Sequence, residues 1–144
     1  MQVSFALFAD AANLSQEGKL NILGVFDALQ VAGLPTVHPR AHLVVHLKGS
    51  ALDRGGHEMT LRWLSPSGQE LWSTSGELGV GDLPSGVLEI DLPVIAQVDL
   101  PLDQGGVFAM RVEVDGTLAA EVPVHVRGMN GAQAVQTSMN PMMS

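Results

Sequence analysis

A chain of 144 residues suits a single domain and is long enough to bury a real core. Apolar residues make up 46% and charged ones 15%, and the formal charge is −8 with only seven Lys and Arg. That balance argues against nucleic acid and anionic membrane surfaces as partners, since both need a basic patch. The absence of Cys excludes disulfides and thiolate zinc sites, so no cofactor is expected. The N-terminus has no basic region or small-residue cleavage site, and no stretch approaches about 18 continuous apolar residues. A cytoplasmic protein is the expectation.

The hydrophobic period along the chain is two, not 3.6. The opening run Phe5 to Phe26 reads as two apolar strands, 2–9 and 19–31, joined by a polar turn that ends in Gly18. In 40–48, Ala41, Leu43, Val45 and Leu47 share one phase, while Arg40, His42, His46 and Lys48 take the other. Strands 57–65 and 69–76 follow across Ser65-Pro-Ser-Gly68. In 87–99, Leu88, Ile90, Leu92, Val94, Ala96 and Val98 form one apolar face, opposed by Glu89, Asp91, Gln97 and Asp99. The runs 107–114 and 117–127 alternate in the same way, and Asp115-Gly116 between them is the signature of a two-residue hairpin.

About eight short alternating strands with polar turns predict an all-β, antiparallel β-sandwich of immunoglobulin-like or C2-like architecture, with a closed barrel as the alternative. Leu43, Val45, Leu88, Ile90, Leu92, Phe108, Met110, Val122 and Val124 are the expected inward residues. Residues 1–127 form one domain in this reading. The uncharged, aperiodic stretch 128–144 is expected to be a disordered tail, or a peptide that docks through its methionines.

The segment Phe8-Ala-Asp-Ala-Ala-Asn13, with Gly18-Lys-Leu-Asn-Ile-Leu-Gly24 and Phe26, resembles the N-terminal signature of an uncharacterised bacterial family of unknown function. Trp63 to Leu71, Gly106 to Gly116 and Val122-Pro-Val124 fit the same pattern, so the resemblance covers residues 3 to about 127. It implies a small intracellular β-sandwich and names no reaction. Read physically, Asp10 and Asn13 should begin the first turn, Gly18 should take a positive φ, and Asn21 should hydrogen-bond a neighbouring strand or loop.

Candidate contact residues come from the polar turns. If successive strands alternate direction, Asp10, Glu17, Asp53, Asp82 and Asp115 gather at one end, with Arg54 as the main compensating charge. Asp10, Asn13, Lys19, Asp53, Asp82 and Asp115 are therefore the candidate ligand or partner contacts. No loop has the dense Asp-x-Asp spacing that brings carboxylates to one calcium ion, and a sheet switch near Pro93 would disturb the gathering. His38, His42, His46, His57 and His125 invite a metal reading. However, His42 and His46 lie about 13 Å apart along one strand, too far to share an ion. Only a cross-strand pair such as His46 with His57 could share one, and solvated histidines are the expectation. Gly76, Gly79, Gly81 and Gly86 suggest a long connection rather than a phosphate loop.

No nucleophile elbow, thiol or His-Glu-x-x-His motif is present, so no catalytic or metal-binding residues are assigned. The expected function is a non-catalytic protein-interaction or scaffold module. Its partner would be a protein, including a second copy of the chain, held through a sheet edge or face. Outward apolar residues such as Val44, Leu64 and Ile95 support that reading. The uncharged stretch Val3 to Ala9 would serve as a template for strand addition if it lies at an edge, the alternative being a central strand or one covered by the following loop. The alternative is a small-molecule or cation-binding sandwich that uses its acidic loop end.

Overall fold

The computed structural model describes residues 1–129; the tail expectation from residue 130 onward lies outside them. The elements are β1 (Gln2–Leu14), β2 (Leu20–Phe26), β3 (Ala28–Val31), β4 (Thr36–Ser50), a 3-10 turn (Ala51–Asp53), β5 (Gly55–Leu64), β6 (Glu70–Val80), β7 (Glu89–Leu102), β8 (Gly106–Val114) and β9 (Thr117–Gly128). They form two sheets, of four strands in the order β2-β1-β4-β7 and of five in the order β3-β9-β8-β5-β6. The protein is an all-β sandwich and does not close into a barrel. All pairings are antiparallel except β3 with β9, which is parallel.

Alternation places the core between the sheets. Leu43, Val45, Phe108, Met110, Val122 and Val124 all point into it, buried as expected. Leu92 packs against the core half-buried, and Ile90 is half-buried without joining it. Leu88 departs from expectation: it is 86% exposed because β7 begins only at Glu89 and the preceding residues belong to a turn. At the centre, Trp63 stacks on Phe108 at 5.3 Å and meets the Phe8 ring edge-on at 6.1 Å. Its Nε1–H donates to the Pro101 carbonyl at 2.9 Å, which ties the second sheet to β7 of the first and satisfies a buried donor.

Three further expectations are corrected. The run 19–31 is not one strand. Its chain leaves the first sheet after Phe26, bends at Asp27, and enters the second sheet as β3, so the sheet switch falls here rather than near Pro93. Pro93 lies within β7 opposite His46, and β7 is an edge strand, where the missing N–H can face outward. β1 runs on to Leu14, so Asp10 and Asn13 are strand residues, and the turn closes over Ser15 to Lys19 instead. Gly76 and Gly79 likewise belong to β6 rather than to the loop that follows it.

β1 lies between β2 and β4, so Val3 to Ala9 is not an outer edge strand. β2 pairs only with Phe8–Leu14, and before Phe8 the open side of β1 faces the start of β9 across a cavity. A bulge at Ser4 re-phases this half, putting Val3 inward and Phe5 outward.

Candidate functional site

The structure gathers part of the predicted acidic end. The turns after β4, β6 and β8 share the end of the sandwich where β1 begins, which brings Asp53, Asp82 and Asp115 there. Asp10, Asn13 and Lys19 stand in the β1–β2 hairpin toward the opposite end, Asp10 about 26 Å and Asn13 about 36 Å along β1 from Gln2. The cause is the corner at Asp27. It adds a strand and reverses the chain's direction, which shifts the parity of every later turn relative to the first.

At the gathered end His57 occupies the inward phase of β5, two residues before Met59, where an apolar residue would otherwise close the core. Its Nδ1 meets Asp115 Oδ2 at 2.7 Å, and its Nε2 bonds the Asp53 carbonyl. A carboxylate and a carbonyl can only accept, so both ring nitrogens donate and the ring is an imidazolium. The bond to the Asp53 carbonyl, then that to Asp115, raises the His57 pKa above its ordinary value. Asp115 is lowered, first by His57 and then by the Glu58 amide, which donates to its Oδ1 at 3.0 Å. The Met1 ammonium donates to Asp53 Oδ1 at 2.8 Å; with the Ser50 amide behind it, this holds the Asp53 carboxyl below the usual range. The sequence predicts a solvated His57, and the cross-strand pair with His46 that could have shared an ion does not form, because the two lie in different sheets. Its position in the apolar phase His57-Met59-Leu61-Trp63 was the available signal.

The remaining candidates have local partners. Arg54 pairs with Asp82 at 2.8 Å, both exposed. The Asp10 side chain packs over Gly24, where a Cβ would collide with it, so the glycine at φ +72 makes room for the aspartate. Asn21 Nδ2 donates to Asn13 Oδ1 at 3.0 Å across the hairpin, the cross-strand bond expected of Asn21. Lys19 Nζ lies 3.6 Å from Glu17 at the hairpin tip, and Gly18 has φ +82, as expected. Arg54, Asp82, Asn13, Asn21 and Lys19 thus have polar partners within the chain, whereas Asp10 has only its packing contact at Gly24.

A second feature was only partly anticipated. The outer face of the β2-β1-β4-β7 sheet carries no charge across its middle. Cross-strand rows there run Leu7–Val44–Ile95 and Ala9–His42–Gln97, with Val25 beside Ala9 and Leu23 beside Ala11. Val44 and Ala9 are fully buried yet belong to no part of the inter-sheet core; outer-face neighbours cover them. Leu23 is 73% exposed and Val25 60%. Phe5 stacks on His46 at 5.1 Å, and the Nδ1 atoms of His42 and His46 are buried without a partner. The signal lay in runs apolar in both phases, Leu20 to Phe26, Leu43-Val-Val45 and Val94-Ile-Ala96.

Among the described residues, no three His, Asp or Glu side chains come together as a metal site. No helix among the described residues is long and apolar enough to cross a membrane. A search of curated proteins finds no match. The model of a family of unknown function, DUF6941, matches residues 4–127, which is nearly all of the sandwich, from Ser4 in β1 to Arg127 in β9, and the chain belongs to that family.

Proposed function

We propose that this protein is a non-catalytic interaction or scaffold module of the bacterial cytoplasm, immunoglobulin-like in character, whose protein partner docks on the outer face of the β2-β1-β4-β7 sheet. The observation that carries the reading is that face itself. A contiguous apolar surface rimmed by polar residues on an acidic protein is a common mark of a protein interface. The rim is set by Lys48 with Asp91 at one end and Asn13 with Asn21 at the other. The alternative, a small-molecule or cation site at the acidic loops, has weaker support, because Asp53, Asp82 and Asp115 already accept from cationic partners.

The test is a double substitution, Leu23→Lys with Val25→Lys. Both side chains are exposed, so unfolding stability should stay within about 0.5 kcal/mol per site. Partner capture from the source cells, together with self-association followed by light scattering, should be lost. A folded double variant that retains every interaction of the wild type would remove this face from consideration.

A further inference from the structure

The opposite end of the second sheet holds a cavity that the docking face does not involve. β9 turns His125 and Arg127 to the outer face, and the register sets Ala28 opposite His125 and Gln30 opposite Arg127 on β3. Val107 of β8 flanks His125 on its other side. These residues line a cavity of about 410 Å³. Its polar groups are a guanidinium, an imidazole and a carboxamide, its walls are Ala28 and Val107, and no carboxylate of the described residues lines it. Gly106 forms a further wall with no side chain; a Cβ there would lie 2.9 Å from Pro66, which keeps that wall bare.

Most basic side chains of the protein are paired: Lys19, Lys48, Arg54, Arg62 and Arg111 each lie within 4.0 Å of a carboxylate. Arg40 and Arg127 have no side-chain carboxylate partner among the described residues, in a protein whose formal charge is −8, and of these two it is Arg127 that lines this cavity. An unneutralised guanidinium at the rim of an apolar-walled cavity is complementary to a planar carboxylate, which its fork can bind through two parallel hydrogen bonds.

We propose that this cavity binds a carboxylate carried on a short apolar group, with Arg127 as its anchor, Gln30 and His125 beside it, and Ala28 and Val107 against the apolar part. Two sources share that chemistry: a small organic acid and the C-terminal carboxylate of a peptide.

The experiment is a titration of the ¹⁵N-labelled full chain with butyrate, with N-acetyl-Ala-Val acid and with the corresponding amide, using sodium chloride at equal ionic strength as reference. At least one acid should shift the amides of Gln30, Val107, His125 and Arg127 saturably, while the amide and chloride do not. Tighter binding of the peptide acid assigns the site to a peptide terminus, and tighter binding of butyrate assigns it to a small acid. Arg127→Gln should weaken binding about tenfold or more, as expected for a lost charge-assisted pair, and Arg127→Lys should recover part of the loss. Gln30→Glu, which places a carboxylate opposite Arg127, should block the site by occupying the guanidinium and serves as the second variant if Arg127→Gln does not fold. Absence of saturable shifts with both acids, or equal binding by the folded variants, overturns the proposal. Because the docking face lies on the other sheet, the Leu23 and Val25 substitutions should leave this titration unchanged.

Discussion

On the outer face of the β3-β9-β8-β5-β6 sheet, Arg62 bonds Glu70 at 3.0 Å and Glu113 at 3.1 Å, and Thr60 meets Ser75 at 2.9 Å. Glu121 lies 3.9 Å from Arg111 on the same face. The matching face of the β2-β1-β4-β7 sheet presents Phe5, Leu7, Val25, Val44 and Ile95 instead, with its charges kept to the margins. Both sheets share one core, so packing between the sheets gives no reason for the difference. A sandwich needs only its inner faces to be apolar. The second sheet follows that rule and spends its outer face on paired charges that keep it in solvent. The first sheet departs from it, with residues apolar in both phases, and the proposed docking face rests on that departure.

The largest expected effect tests whether inner and outer faces are assigned correctly. Phe108→Ala should cost about 3–5 kcal/mol, from lost transfer energy and a cavity beneath Trp63. An unchanged denaturant midpoint would mean that the two phases of β8 are exchanged. A smaller effect separates the two outer faces. Val44→Ala removes two buried methyl groups and should cost about 1.5–2 kcal/mol, although Val44 lies outside the inter-sheet core. A cost near zero would make the outer face of the first sheet ordinary wet surface.

The smallest effect belongs to the polar end, and its sign follows from the shifts. His57 holds its proton more tightly when folded, so its stabilisation is complete below about pH 6.5 and is lost as pH rises through the raised value. Asp53 and Asp115 run the other way: their contribution is present above about pH 4 and is lost as pH falls through their lowered values. The cluster is therefore at full strength between about pH 4 and 6.5. Melting temperatures of wild type and His57→Gln should differ most in that window and converge toward pH 9. A constant difference across pH would show that His57 acts by packing alone.

Alternation made much of this fold legible. Runs such as Val107 to Val114 and Thr117 to Arg127 have one wet face, and Asp115-Gly116 fits only a tight hairpin; the structure has φ 52 and 81 there. What alternation does not encode is where a strand changes sheet. Leu20 to Val31 stays apolar across Asp27 because both halves are half-buried, and nothing local distinguishes a corner from a continuous strand. The error at Asp10 has a similar origin. An Asp in a short polar stretch reads as a turn until the opposing Gly24, fourteen residues on, is known to make room for it. At the acidic end the residue types were visible but their bonds were not. Asp115 is joined to His57 across 58 positions, and Asp53 to the Met1 ammonium across 52.

The corner at Asp27 also governs when the molecule can be completed. β3 has one ladder partner, β9, which sets Ala28 beside His125, and the His125 amide donates to the Asp27 carbonyl at 2.8 Å. A ribosome adding about 5–20 residues per second releases β3 roughly 5–20 s before β9. Through that interval β1 and β2 can form their hairpin, but Leu29 and Val31 have no strand to lie against. This sandwich is a clasp whose two halves are made far apart in translation, and the apolar residues of β3 wait for β9.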